Sequence, residues 1–327
     1  MRNAFKTVVA SILLAGGLLA AGQALADEPY PSHVVQVIVP FPPGGVADLT
    51  GRPVTAGLSK ILKQSFVLIN RPGAGGSLGA SMVVNAKPDG YTLLMALASV
   101  STNPEADRVA GRPATFELNQ LVPIALVSAD PTILMVRAES PYKTLADLVA
   151  DAKKRPGEIN YSSSGNYGTY HVATEMFTHV AGIELKHIPY GGGGPALNAI
   201  LAGQVDVGLL GPSVAIAQIK AGKMRALASW GGKRLASLPE VPTLKELGYN
   251  VEYYIWSGLF APAGTPEPIV ATLRNAMKGV VVDDDFKMVM DKLETPIVYM
   301  DAPEFKQFWD EDAKRLIEVV RKIGKIE

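Results

Sequence analysis

Short apolar runs alternate with longer segments whose apolar residues recur at helical spacing along most of the chain. The β-branched run 34–39 predicts a strand, and the amphipathic segment 47–63 that follows it predicts a helix. Repetition of this order predicts an α/β fold with parallel sheets. Further strands are predicted at 66–69, 91–95, 132–136, 159–162, 185–188, 205–209 and 225–229. Further helices are predicted at 77–86, 144–155, 171–181, 195–202, 268–281 and 303–323.

The first 26 residues have the pattern of a bacterial signal peptide. Arg2 and Lys6 precede the uncharged stretch 8–25, which closes on the small-residue site Ala24-Leu25-Ala26. A transmembrane anchor is the competing interpretation. It needs about 20 strongly apolar residues, and two glycines and the small-residue site argue against it. We therefore expect cleavage after Ala26 and export to the periplasm.

Charge balance and the rare residue types narrow the possible functions. The 327 residues carry 31 Lys and Arg against 31 Asp and Glu, so the chain lacks the basic surplus typical of nucleic-acid binding. The absence of Cys excludes disulfides and thiolate chemistry, and the four His show no spacing typical of a zinc site. We expect no metal, no cofactor and no nucleic-acid partner. The length of the chain favours two domains.

Four loops rich in Gly or Ser lie where predicted strands end and predicted helices begin. We call them the first loop (residues 41–48), the second loop (residues 70–76), the third loop (residues 162–169) and the fourth loop (residues 190–195). Ligands of open α/β sheets sit beyond the carboxyl ends of the strands. Helix N-termini present free N–H groups and a positive dipole end, so several of them converging on one cleft bind an anion without Arg or Lys. The loops therefore predict an anion-binding cleft.

Two short motifs suggest an enzyme at first sight. Residues 75–79 match the nucleophile elbow of hydrolases, but that motif needs a strand directly before the turn, and here a loop precedes Ser77. Residues 191–196 match a dinucleotide fingerprint, but no acidic residue follows at the required spacing of about 20 residues. We therefore predict no catalytic residue, and a periplasmic α/β hydrolase stays the alternative.

Eight segments, taken in chain order, are similar to one protein family. They are 39–48, 70–76, 88–94, 140–148, 188–197, 221–228, 238–243 and 261–266. Together they resemble the extracytoplasmic solute receptors of tripartite tricarboxylate transporters, the Bug-type receptors. The resemblance implies a type II periplasmic-binding-protein fold, with two α/β domains joined by two crossing strands and a ligand cleft between them. It places domain 1 at 27–128 plus 257–327 and domain 2 at 129–256, with crossings near 127–131 and 253–259.

The same resemblance implies a function. It points to a monomeric periplasmic receptor that captures a small organic carboxylate, either a di- or tricarboxylate or an aromatic acid. The receptor would deliver this ligand to the membrane permease of a tripartite tricarboxylate transporter. A ligand sensor that feeds a two-component system is a second alternative, because capture and sensing need the same closure of two domains.

The predicted ligand-binding residues come from the loops and from strand ends. They are Phe41, Gly44, Gly45, Ala47, Asp48, Ser99, Ser163, Ser164, Asn166, Thr169, Tyr190, Gly193 and Asp206. The resemblance implies that backbone N–H groups of the first and fourth loops hold the ligand carboxylate, while Asn166 and Tyr167 face its distal part. Asp48 is either an acid that complements the helix dipole or a cleft group that contacts the ligand. Asp206 is predicted to be a strand residue that reaches the hinge.

Overall fold

Two β-sheets organise the computed structural model, which describes residues 29–326. The strands are β1 (Val35–Val39), β2 (Phe66–Asn70), β3 (Thr92–Leu97), β4 (Leu121–Pro131), β5 (Ile133–Arg137), β6 (Asn160–Ser163), β7 (Lys186–Pro189), β8 (Val207–Leu210), β9 (Met224–Ser229), β10 (Tyr254–Pro262) and β11 (Ile297–Asp301). The predicted signal peptide, residues 1–26, lies outside the described residues. Between residues 29 and 326, no helix combines the length and the apolar character needed to cross a bilayer.

Helices cover both sheets. They are α1 (Val46–Leu62), α2 (Ser77–Val84), α3 (Ser99–Val109), α4 (Leu145–Lys154), α5 (Thr169–Ala181), α6 (Gly193–Leu201), α7 (Pro212–Lys220), α8 (Glu267–Val280), α9 (Asp284–Lys292) and α10 (Ala302–Ile323). Short 3₁₀ turns cover Ala74–Gly76 and Leu118–Gln120. We call the first sheet with its helices the first lobe, and the second sheet with its helices the second lobe.

Both sheets are mixed. The strand order of the first sheet is β11-β4-β10-β3-β1-β2, and that of the second sheet is β7-β6-β8-β5-β9. Strand β1 pairs in parallel with β2 and β3, but β10 is antiparallel to both β3 and β4. In the second sheet, β5 is antiparallel to β8 and β9. The predicted α/β class is confirmed. The sheets are mixed and not parallel throughout, because the chain leaves one lobe and returns to it along neighbouring strands.

The two long strands β4 and β10 carry the chain between the lobes. They pair as far as Pro131 and Tyr254, and the second sheet is built from the residues between these two positions. Just beyond that pair, the Trp230 N–H donates to the Thr132 carbonyl at 2.9 Å, and the Tyr253 N–H donates to the Trp230 carbonyl at 3.0 Å. These two bonds tie three chain segments together where the lobes join. The exact domain boundaries at 128/129 and 256/257 stay a prediction.

The core of the first lobe is aromatic where α10 packs on the sheet. The ring of Phe260 lies 5.1 Å from Phe305 and 4.9 Å from Trp309, centroid to centroid. The Trp256 indole N–H donates to a carboxylate oxygen of Asp312 at 2.8 Å, so this buried polar group is satisfied. Helix α10 begins after Asp301, whose carboxylate accepts from the Ala302 N–H. This packing gives the cleft a rigid support.

Candidate functional site

The first loop ends at the N-terminus of α1, and its shape depends on Asp48. The buried Asp48 carboxylate accepts from the Gly44 N–H at 3.0 Å and from the Arg52 guanidinium at 2.9 and 3.1 Å. It also accepts from the Asn70 side-chain amide at 3.1 Å, and the same amide donates to the Phe41 carbonyl at 2.9 Å. All of these partners belong to the protein. Asp48 therefore braces the loop, and its contact with a ligand stays a prediction.

The first and fourth loops meet across the gap between the lobes. A Cβ atom placed on Gly45 would lie 3.7 Å from the backbone nitrogen of Gly193, and one on Gly192 would lie 2.8 Å from Pro42 Cδ. Gly45 is the N-cap of α1 and Gly192 that of α6, so two helix N-termini from different lobes approach each other here. The first N–H groups of a helix have no partner within it. With both dipole ends positive, this junction is suited to an anion.

The second and third loops form a second junction between the lobes. A Cβ atom on Gly165, which has φ +117°, would lie 3.4 Å from the Gly75 Cα. The Thr102 hydroxyl of α3 donates to the Tyr167 carbonyl at 2.9 Å. With its amide oriented to satisfy both groups, Asn103 donates to the Ser99 carbonyl and accepts from the Ser77 N–H, each at 3.1 Å. Helix α3 is thus a buried polar helix that supports both loops.

Two stacked histidines lie beneath the third loop. The rings of His171 and His187 are 3.9 Å apart and nearly parallel. His187 Nε2 bonds the Ser163 hydroxyl at 2.5 Å, and His171 Nδ1 accepts from the Tyr167 N–H at 2.9 Å. Burial lowers the pKa of His187 to about 4 and holds the pKa of His171 well below its ordinary value. Both imidazoles are therefore neutral at physiological pH, and they hold the loop through these two bonds.

Tyr167 connects the third loop to the C-terminal end of α10. Its backbone has a left-handed φ of 53°, which is uncommon outside glycine. Its hydroxyl donates to the Gly324 carbonyl at 2.8 Å and accepts from the Ile326 N–H at 3.1 Å. Because α10 belongs to the first lobe and the third loop to the second, this side chain fastens the lobes together.

Tyr167→Phe is expected to weaken ligand binding by up to about thirtyfold, because two hydrogen bonds of the closed clamp are lost, each worth about 1 kcal/mol. Calorimetric titration with any ligand that the protein binds measures this change. Amide exchange at residues 324–326 should accelerate in parallel. Tyr142→Phe is the matched control, since it removes a hydroxyl bond to Asp151 elsewhere on the second lobe. Equal affinity for both variants would rule out the fastening role.

Several buried side chains in the cleft have no hydrogen-bond partner among residues 29–326. They lie on the crossing strands and at the carboxyl ends of the second-sheet strands, and they include Ser128, Asp130, Thr132, Ser162, Ser164, Thr169, Ser213, Ser229 and Tyr253. Buried polar groups are nearly always hydrogen-bonded in native proteins, so such a concentration indicates a place where another molecule completes the bonding. Sequence reasoning found Ser164 and Thr169 but missed the crossing-strand residues. Their signal was the polar alternation 128, 130, 132 within an otherwise apolar strand.

Most of the predicted site residues come together at the two junctions. Phe41, Gly44, Gly45, Ala47, Asp48, Tyr190 and Gly193 lie at the first, and Ser99, Ser163, Ser164, Asn166 and Thr169 lie at or behind the second. The side chain of Asn166 is exposed, although its carbonyl faces Gly75.

Asp206 is the exception among the predicted residues. It is exposed, and it precedes β8, with its carboxylate accepting from the Asn160 N–H at 3.0 Å at the start of β6. The amino ends of these parallel strands lie at the opposite edge of the sheet from the cleft. The placement of Asp206 at the hinge therefore does not agree with the structure, because the residue stands before its strand and not at its carboxyl end.

Two α/β lobes with facing helix N-termini and crossing strands define a solute-binding receptor of the periplasmic-binding-protein type. The chain belongs to the family described as "Tripartite tricarboxylate transporter family receptor", whose model matches residues 50–325. This membership confirms the predicted family. It also confirms the prediction of a receptor rather than an enzyme, since members of the family are solute-binding receptors.

Solved structures of similar proteins agree with this assignment. The periplasmic binding protein BugD is 30% identical, with a TM-score of 0.84 over 91% of this chain and 100% of BugD. MatC of Rhodopseudomonas palustris, solved with malate, is 29% identical, with a TM-score of 0.82 over 89% of this chain and 100% of MatC. An R. palustris protein solved with adipate is 28% identical, with a TM-score of 0.83 over 89% of this chain and 97% of that one. The predicted periplasmic-binding-protein fold is thereby confirmed.

Proposed function

We propose that the protein is a periplasmic receptor that captures a small organic carboxylate between its lobes and delivers it to the membrane permease of a tripartite tricarboxylate transporter. The observation that carries this proposal is the meeting of the α1 and α6 N-termini at Gly45 and Gly193. The bound malate and adipate of the two R. palustris relatives support a carboxylate as the ligand.

Backbone groups supply most of the recognition in this proposal. Hydrogen bonds to a charged group contribute about 1.5–3 kcal/mol each, net of desolvation, so a few N–H groups at the junction suffice for micromolar affinity. The glycines permit this because they leave the backbone uncovered where the two loops approach. Gly191, in the fourth loop, offers no charged side chain, so recognition at the junction depends on these N–H groups.

Ligand binding is coupled to the closure of the lobes. The junctions bring together residues of both lobes, so a ligand seated there contacts the closed form more extensively than an open one. It therefore shifts the population toward the closed form in proportion to its differential affinity. The permease would then recognise this closed form of the receptor. A sensor function would use the same closure, and uptake measurements in a strain without the permease separate the two roles.

A thermal-shift screen tests the proposed ligand class directly. The panel consists of malate, succinate, adipate, citrate, benzoate, nicotinate, aspartate and glutamate, each beside its methyl ester, which lacks the carboxylate charge. We expect at least one acid to raise the melting temperature by several degrees, since a ligand at about 100 times its Kd adds about 2.7 kcal/mol of stability, and the ester to have no effect. A melting temperature unmoved by the whole panel, or moved equally by acid and ester, would contradict the proposal.

A further inference from the structure

Asp130 carries a fully buried carboxyl group. It is the penultimate residue of the crossing strand β4, directly before Pro131. Its relative exposure is 0%, and neither carboxylate oxygen has a hydrogen-bond partner in the part of the chain that the structure describes. It takes part in no ion pair among the same residues. Asp48, the other buried acid of the cleft, differs in having Arg52, Asn70 and the Gly44 N–H as partners. A buried acid without partners is costly to keep, so Asp130 needs a separate explanation.

The side chain of Asp130 faces the cleft. Asp130 pairs with Ile255 across the antiparallel β4–β10 ladder, so the two side chains share one face of the sheet. A Cβ atom on Gly211 would lie 3.6 Å from both Ile255 Cγ2 and the Tyr170 hydroxyl, and 2.7 Å from Val46 Cγ2 at the start of α1. This face of the crossing strands therefore looks onto the space between the two lobes.

Tyr170 links that face to the anion-binding junction. Its hydroxyl accepts from the Gly211 N–H at 3.1 Å, and a Cβ atom on Gly193 would lie 3.2 Å from it. Burial raises the pKa of Tyr170, and the negative charge of Asp130 raises it further. Ile255, the cross-strand partner of Asp130, and Tyr170 thus both pack at Gly211, and Tyr170 also reaches Gly193 at the junction.

We propose that Asp130 binds an ammonium group of the ligand, so that this receptor takes an amino acid and not a plain di- or tricarboxylate. The inference rests on the proposed function, because it assigns the carboxylate of the same ligand to the junction of α1 and α6. The cleft then offers positive helix ends to the carboxylate and a negative side chain to the ammonium. This charge pattern is complementary to a zwitterion.

The ammonium group of a bound ligand would offset the free-energy cost of burying the Asp130 carboxylate. Burial raises the pKa of the Asp130 carboxyl well above its usual range, because no cation of the described residues offsets its charge. A ligand ammonium supplies that cation and up to three N–H donors. The orphan hydroxyl of Ser128, two residues away on the same face of β4, and that of Thr132, just beyond the end of the strand, extend the polar surface. A second ligand carboxylate in this place would supply neither the positive charge nor the N–H donors that an ionised Asp130 needs.

Calorimetry with ligand pairs that differ only in the ammonium group tests the inference. The pairs are aspartate and succinate, glutamate and glutarate, leucine and 4-methylpentanoate, and phenylalanine and 3-phenylpropanoate. In the wild-type protein we expect one amino acid to bind at least about tenfold more tightly than its partner. In Asp130→Asn, which keeps the shape and removes the charge, that amino acid should lose at least about tenfold, while its partner stays within about threefold.

The wild-type comparison needs no variant, so it stands even if Asp130→Asn folds poorly. Ser164→Ala, which removes an orphan hydroxyl at the other junction, is the matched control and should weaken both members of a pair equally. Tighter or equal binding of the acid without ammonium in the wild-type protein, or an ammonium preference that survives in Asp130→Asn, would overturn the assignment to Asp130 and leave the carboxylate receptor intact. If no carboxylate of either kind binds, the proposed function and this inference both fail.

Discussion

Gly45→Val is expected to weaken carboxylate binding by about a hundredfold or more. A Cβ atom at this position would already be in van der Waals contact with the Gly193 nitrogen, at 3.7 Å. The two methyl groups of valine would fill the remaining gap and cover the N–H groups that the ligand needs. Losing two charge-assisted bonds of about 1.5–3 kcal/mol each corresponds to at least a hundredfold in affinity.

The fold itself should tolerate this substitution. Gly45 has φ −92° and ψ 170°, an extended conformation that valine adopts readily. Gly191→Val is a matched control, because Gly191 belongs to the same junction but a Cβ atom there meets nothing within 4 Å. Titration of both variants with the best ligand of the thermal-shift panel should show near-native affinity for Gly191→Val only. Native affinity in Gly45→Val would remove the junction from the binding site.

The stacked histidines make stability depend on pH between about 6.5 and 4. The pKa of His187 is lowered to about 4 in the folded protein, whereas an unfolded chain has the ordinary value near 6.5. The unfolded state therefore binds more protons in this window. The stabilising contribution of the neutral imidazole is complete above pH 6.5 and is lost as the pH falls toward 4. For His187 alone the loss is on the order of 3 kcal/mol.

A comparison with His187→Gln isolates this contribution. The raised pKa of Asp130 has the opposite effect on the pH dependence, because that group stabilises the fold as the pH falls. Asp130 is present in both proteins, so its contribution largely cancels when their free energies of unfolding are compared. Urea unfolding at pH 7, 5.5 and 4 should show the stability advantage of the wild-type protein shrinking toward acid. An advantage that stays constant over this range would mean that His187 is not held neutral.

Apolar patterns predicted most of the secondary structure to within about two residues, because strands such as β1 are buried almost throughout and helices such as α10 bury one face. Helix α3 was not predicted. Its buried residues are mostly polar, including Ser101, Thr102 and Asn103, and it contains Pro104. Such a helix is stabilised by tertiary bonds to the loops that it supports, and these bonds leave no periodic signal in the sequence.

The candidate site was predictable where its geometry depends on the backbone, and less predictable where it depends on contacts between side chains. Glycine at a strand-to-helix junction is visible in sequence, so Gly45 and Gly193 were found. The role of Asp48 depends on Arg52 and Asn70, and only the fold brings Asn70 to it. Asp130 lies in a strand with no loop motif beside it. Its burial without a partner depends on the approach of the second lobe, which no local pattern encodes.

The pairing of β4 with β10 makes the hinge a single mechanical element. The two connections between the lobes run side by side as one antiparallel ribbon. Backbone hydrogen bonds among Thr132, Trp230 and Tyr253 join them at its end, so we expect them to bend together. The angle between the lobes therefore depends on this one ribbon. A change of stiffness in this ribbon multiplies the apparent affinity for every ligand by the same factor and leaves their ranking intact. Sensitivity is therefore set by this ribbon, whereas selectivity is set by side chains in the cleft, including Asp130, which the same ribbon carries.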